Sequence, residues 1–174
     1  MDALWARATV RKLLSSESDD DRANAAVQFA AWKRYHPRAP ADVIVPGLIK
    51  ALRDSQPGVR GSAAHALGDY PAERVRVTSP LMRCLGDPEP RVRKNAIDSL
   101  GTIRAEESVK AIIGFLKDKD PQIRISAIIA LARIGPPAAS EAVPSLKTLL
   151  TDPECSGFAS DAVRELSRRQ PTAR

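Results

Sequence analysis

Leucine, isoleucine, valine and alanine recur along the chain every three to four positions, and Asp, Pro and Gly interrupt these runs at short intervals. In "PQIRISAIIALARIG" the apolar residues Ile123, Ala127, Ala130, Leu131 and Ile134 stand at i, i+4, i+7, i+8 and i+11, which is one face of a helix. "VIVPGLIKAL" and "VPSLKTLL" carry helical spacing too, each with a proline, Pro46 or Pro144. A proline is expected in a first helical turn, where its missing N–H costs little. No stretch alternates apolar with polar residues as a half-buried strand does. The pattern predicts an all-α chain.

The interruptions are themselves periodic. "DSQPGVRGSAAHALG", "DPEPRVRKNAIDSLG" and "DKDPQIRISAIIALARIG" begin at Asp54, Asp87 and Asp118, offset by 33 and 31 residues. Two positions before each Asp is a leucine (Leu52, Leu85, Leu116), and three after it a proline (Pro57, Pro90, Pro121). Five and six after come Val59 and Arg60, Val92 and Arg93, Ile123 and Arg124. Nine after is an alanine (Ala63, Ala96, Ala127), and thirteen after a leucine (Leu67, Leu100, Leu131). A weaker copy ends the chain, with Pro144 eight before Asp152 as Pro46 is eight before Asp54. Another opens it, matching at Leu14, Arg22, Ala25 and Phe29 but with Ser16 in the Asp position. Five units follow, at about 2–36, 41–69, 75–102, 106–135 and 140–170, with a tail at 171–174.

Each unit reads as a helical hairpin. The Asp closes the first helix and the Pro opens the second. Gly68, Gly101 and Gly135 stand where left-handed C-terminal caps are expected. One hairpin cannot bury its own apolar face, but stacked copies can, so a period of this length predicts an α-solenoid. The repeated Asp54, Asp87 and Asp118, with Arg60, Arg93 and Arg124, are expected to form a structural ladder, each Arg reaching the Asp-bearing turn of its own or the next unit.

These columns resemble the HEAT repeat family, in its compact bacterial form the phycobilisome-lyase-type HEAT-like repeats. Pro46, Asp54, Val59 and Arg60 carry the likeness, and Asp87, Val92, Arg93, Asp118, Ile123 and Arg124 repeat it over almost the whole chain. The resemblance implies a right-handed superhelix with first helices on the convex side and second helices lining the concave one. Most such proteins are scaffolds or adaptors; a few are enzymes, among them phycobilin lyases, DNA glycosylases and a metal-dependent hydroxylase. Fold alone does not choose between them.

Composition narrows the classes. The 174 residues are 43% hydrophobic and 28% charged, without low-complexity tracts, as in a folded domain. The opening "MDALWARATVRKLLSSESDDD" lacks the features of a secretory signal, and no run reaches the roughly 20 apolar residues of a membrane span. With only Cys84 and Cys155, a disulfide framework or zinc site is not expected, and a reducing, cytoplasmic setting is. The net charge of +6 permits a polyanionic partner without requiring one, since 21 acids are scattered among the 27 bases.

The residues for chemistry are sparse. Neither histidine, His36 or His65, is followed by Glu, and no HExxH, CxxC, P-loop or GxGxxG occurs. Ser62, His65 and Asp69 share a helical spacing, but neighbours on one helix rarely align as nucleophile, base and orienter. His36 reads as a loop residue, and Trp32 as core or end-cap. "SSESDDD" reads as a solvated acidic loop and helix start. Aromatics are only 4%, which disfavours stacked single strands, whereas duplex binding needs only cations such as Arg91, Arg93, Lys94, Arg168, Arg169 and Arg174. No catalytic residue, metal or cofactor is expected.

Helical geometry selects the residues facing the hollow. With Val or Ile of each second helix turned to the core, positions two and six later point roughly away. This selects Ala23 and Val27, Gly61 and His65, Lys94 and Asp98, Ile125 and Ile129, and in the drifted last unit Ser160 and Arg164. Ile125, Ile129 and Ala132 read either as an exposed apolar patch or as filling against the fifth unit. An apolar centre with a charged flank is the ordinary makeup of a protein-binding site. The expectation is a non-catalytic module holding a partner helix or peptide in its concave groove. The alternatives are a basic solenoid binding nucleic acid by its phosphates and a lyase or chaperone subunit for a tetrapyrrole-bearing protein. Leu4, Trp5 and Leu14 suggest an apolar end surface suited to assembly.

Overall fold

The computed structural model describes residues 2–35 and 40–167, and among them there are ten α-helices and no strand. They pair in chain order as α1 (Asp2–Ser15) with α2 (Asp19–Tyr35), α3 (Ala41–Ala51) with α4 (Pro57–Leu67), and α5 (Arg74–Cys84) with α6 (Pro90–Thr102). Next come α7 (Val109–Gly114) with α8 (Pro121–Ile134), then α9 (Val143–Lys147) with α10 (Ser156–Leu166). Short 3₁₀ turns at Pro71–Glu73, Glu106–Ser108 and Ala138–Ala142 lead into the later first helices, and α7 ends in another at Phe115–Lys117. The side chain of Trp32, and His36, Arg168, Arg169, Arg174 and the tail, lie outside the described residues.

Pro57, Pro90 and Pro121 open α4, α6 and α8 as expected. Pro46 does not open its helix: α3 begins at Ala41, so this proline lies inside it, on the exposed side. Pro144 does lie in the first turn of α9. The apolar face read from α8 is buried throughout, Ile123, Ala127, Ala130, Leu131 and Ile134 each being at most 6% exposed.

The second helices pack on one another in an unbroken row from α2 to α10, while among the first helices only α1 and α3 do so closely. In a curved two-layer stack the tighter row is the inner one, so the second helices line the concave side and the first helices form the outer layer. The tight row depends on small residues. A Cβ on Gly68 would lie 2.7 Å from Ser99 Oγ, and one on Gly101 would lie 2.6 Å from Ala130 Cα. Ser99 and Ala130 hold the same column of successive units, so each glycine admits the next second helix. This corrects the expectation of three left-handed caps: Gly68 has φ −62° and Gly101 lies within α6. Only Gly135 has positive φ, +79°.

Candidate functional site: a concave groove

A ladder of arginines fixes the spacing of the groove walls. Arg60 Nε and Nη2 donate to the two carboxylate oxygens of Asp87 at 2.7 and 2.8 Å, while Nη1 donates to the carbonyls of Asp54 and Ser55 at 2.9 and 3.0 Å. One side chain thus closes its own interhelix turn and grips the turn of the next hairpin. Arg22 does the same to Asp54, at 2.8 and 3.1 Å. Arg124 reaches Asp152 at 3.1 Å and Glu154 at 3.5 Å. Each Asp also accepts from the amide two residues on, as Asp87 does from Glu89 at 3.0 Å. Hydrogen bonding from Arg60 holds the Asp87 carboxyl below its ordinary range, against the opposing effect of burial.

One rung is missing among the described residues. Arg93 donates to the carbonyls of Asp87 and Pro88 at 2.9 and 3.0 Å but makes no ion pair with Asp118. The fourth copy is the one spaced 31 residues from its predecessor, and its first helix is cut to Val109–Gly114 before the 3₁₀ turn.

Along the inner side three hollows join end to end. The first, about 480 Å³, is lined by Val27, Ser62, His65, Asp69, Arg91 and Asn95 among others. The second, about 410 Å³, shares His65 and Asp69 with it and continues over Lys94, Asp98, Ile125, Ile129 and Arg133. The third, about 320 Å³, shares Ile129 and Arg133 with the second and runs on to Ala132, Phe158, Ala162 and Glu165. The result is one channel crossing all five second helices.

Its ends are apolar: Val27 is 52% exposed and Phe158 46%. Its middle is polar and partly self-neutralised, with Lys94 Nζ 2.8 Å from Asp98 Oδ2 and Arg133 Nη1 donating to Thr102 Oγ1 at 3.1 Å. Ile125 and Ile129 are half-buried: Ile125 packs one side on the core and both line the channel. Of the two sequence readings, core filler and exposed patch, each describes part of these side chains.

Four expected groove residues, Ala23, Gly61, Ser160 and Arg164, line none of the three hollows. Gly61 is buried, because Asn95 covers it and donates from Nδ2 to the Gly61 carbonyl at 2.8 Å. Arg164 is exposed and paired with Asp161 at 3.0 Å, outside the hollows. In the last hairpin the channel is lined by Phe158, Asp161, Ala162 and Glu165 instead of Ser160 and Arg164. The drift of that unit concealed its register, and Phe158, an aromatic in an exposed stretch, was the available signal. Ser62 and His65 meet in the first hollow, yet no hydrogen bond joins them. Of the cations considered for phosphate contact, Arg93 and Lys94 are engaged internally and Arg91 is exposed.

A family model described as HEAT repeats matches residues 7–87 and again residues 77–167. The chain belongs to the HEAT-repeat family. Its HEAT hairpins superpose on the complex of CpcE and CpcF of phycocyanin lyase from Nostoc sp. PCC7120 with TM-score 0.79 and 25% identity, over 94% of this chain and 65% of that one. An engineered protein is similar at TM-score 0.71 and 25% identity, over 95% and 80% of the two chains. A designed armadillo repeat protein in complex with the peptide (KR)4 is similar at TM-score 0.77 and 18% identity, over 95% and 83%. Comparison with curated protein sequences finds no match.

Proposed function

We propose that this HEAT solenoid is a non-catalytic binding module that seats a segment of a partner protein, a helix or a peptide, along its concave channel. The observation that carries this reading is the continuity of the three hollows through His65, Asp69, Ile129 and Arg133. With helices spaced 8–10 Å apart, the four joints of the row span roughly 36 Å, enough for about 11 residues of extended chain or about 24 of helix. His65, Lys94, Asp98, Ile125, Ile129 and Ala132 are the contact residues of the proposal, with Phe158 and Val27 as apolar anchors at the two ends. The ladder and the close-packed glycines hold this surface preformed, so binding orders the partner and not the module.

A peptide-display selection against the immobilised chain, followed by titration of the enriched peptide, tests this. Ile129→Asp is expected to weaken binding at least about tenfold, the loss of a buried aliphatic contact, with unchanged helical circular dichroism. An enriched peptide that binds Ile129→Asp as well as the parent chain contradicts the groove reading.

The likeness to the phycocyanin lyase complex supports a second reading, a lyase or chaperone subunit acting on a tetrapyrrole-bearing protein. Visible absorbance that co-elutes with the chain after mixing with a bilin supports it. Elution of all colour in the free-bilin volume counts against it.

A further inference from the structure

The outer layer opens between α3 and α5. Curvature that closes the row of second helices spreads the row of first helices, and a cleft of about 230 Å³ lies where the C-terminal ends of α3 and α5 run side by side. Its floor is apolar, made by Leu52, Pro80 and Cys84, all buried, with Ile49 half-buried beside them. Its rim carries two exposed cations, Arg53 and Arg83.

Neither guanidinium is taken up by the fold. The carboxylate in the cleft wall, Asp87, already accepts two hydrogen bonds from Arg60 and one from the Glu89 amide. The Arg83 side chain's one hydrogen bond among the described residues goes to Ser79 Oγ, at 3.3 Å. The Arg53 side chain makes no hydrogen bond or ion pair to a described residue, so most of the donors of both forks point to solvent over an apolar floor.

Comparison of the repeats shows that stacking does not call for this pair. Arg53 stands one residue before its unit's Asp, and Arg83 four before the Asp of the next. At the following joint the same two places are Gly86 and Gly114, and at the last they are Lys117 and Thr148. At the first joint, with Ser16 in the Asp position, they are Ser15 and Lys50. A helix C-terminus attracts cations, and Arg83 lies in the last turn of α5. That attraction acts at every joint, whereas two arginines meet at this one alone.

We propose that this cleft is a second binding site, separate from the channel, which takes a single carboxylate carried on a short apolar body. The carboxylate is that of a free small acid or of the C-terminal residue of a partner chain. A planar carboxylate matches the guanidinium forks at the rim, and the apolar body covers Leu52 and Cys84. A phosphate fits less well, because helix C-terminal ends present carbonyls and no amides to its further oxygens. The volume has room for about eight non-hydrogen atoms, too few for a nucleotide.

The test follows backbone amide NMR shifts of the full chain during titration with 4-methylpentanoate, its uncharged amide, N-acetyl-leucine and inorganic phosphate. The acid is expected to bind with a Kd of about 1 mM, within the efficiency open to so small a ligand, and to shift the amides of Leu52, Arg53, Arg83 and Cys84. 4-Methylpentanamide, equal in shape, is expected to bind at least about tenfold more weakly. Arg53→Gln and Arg83→Gln are each expected to weaken the acid by about fivefold or more, and the double variant to lose it, with unchanged melting temperature because both side chains are exposed. Ile129→Asp, in the channel, is expected to bind the acid as the parent does. Tighter binding of N-acetyl-leucine assigns the site to a partner's C-terminal residue; equal or tighter binding of 4-methylpentanoate assigns it to a free acid. No shift at about ten times the expected Kd, equal binding of acid and amide, parent-like binding by the double variant, or phosphate binding as tight as the acid's overturns the proposal.

Discussion

Arg60 and Asp87, 27 residues apart, are joined by two parallel hydrogen bonds of 2.7 and 2.8 Å across the joint between the second and third hairpins. The Arg60 side chain is 14% exposed and that of Asp87 9%, so the pair is largely removed from water while its carboxylate keeps a further backbone donor. Arg93 holds the equivalent place in the next hairpin with the carbonyl contacts alone. Comparing the two therefore isolates the inter-hairpin contact.

Arg60→Ala is expected to cost about 2–3 kcal/mol, since it leaves Asp87 half-buried without its partner, and to lower Tm by roughly 5–10 °C. Arg93→Ala removes only hydrogen bonds within its own turn and should cost about 1 kcal/mol. Urea melts of the two variants measure the difference. Equal losses would show that the ladder pair adds nothing to the carbonyl contacts.

Acid should loosen the same joints. Asp87 is held below its ordinary value chiefly by its hydrogen bond to Arg60. For Asp54 burial pushes upward, but hydrogen bonds from Arg22 and the Gln56 amide prevail and the net shift is downward. Carboxylates depressed in the folded state contribute stability that is complete above the unfolded value of about 3.9 and is lost as pH falls through the folded value. Thermal melts are expected to be flat near neutrality and to drop below about pH 4. Asp87→Asn should be less stable at pH 7 and lose less on acidification.

Glycine substitutions separate close packing from chain freedom. A methyl on Gly101 meets the Ala130 backbone at 2.6 Å, so Gly101→Ala must push α6 and α8 apart, at an expected cost of about 2–4 kcal/mol. Gly114, at the end of α7, has nothing within 4 Å of an added methyl, and Gly114→Ala should gain up to about 1 kcal/mol. Denaturant midpoints of the two variants should move in opposite directions.

Much of this architecture is legible in the sequence because a repeat states each contact several times. The Asp and Arg columns showed a ladder before any helix was placed, and Ile123 to Ile134 defined a buried face. What was misread had two physical uses for one letter. A glycine at a helix end serves a left-handed cap or a close approach, and only the position of Ser99 or Ala130 in the neighbouring hairpin decides between them. Pro46 was read into a first turn although the unit itself was placed from residue 41, which already sets this proline inside α3. Gly61 has no side chain to reach the hollow and is closed over by Asn95 of the next second helix, whereas Lys94 and Ile125 at the same position of later repeats do line it. Phe158 was missed where the last repeat slips out of register.

The two thiols give a simple check on burial. Cys84 and Cys155 are 6% and 0% exposed, and burial pushes the Cys84 thiol up to about 11. Burial also raises Cys155, against the lowering effect of Arg124. At pH 8 a colourimetric thiol reagent should titrate neither until denaturant is added, and both afterwards. Prompt reaction of either in the native protein would contradict the packing of its hairpin.

The central claim, that one continuous channel holds one partner segment, is tested most directly by photocrosslinking. A benzoylphenylalanine at Val27 or Phe158 marks the two ends of the channel, and one at Val75, 89% exposed on α5 of the outer layer, marks the opposite side. With the display-selected peptide bound, crosslinks are predicted at both Val27 and Phe158, to opposite ends of the peptide, and none at Val75. Crosslinking at Val75, or at neither channel end, would contradict the account.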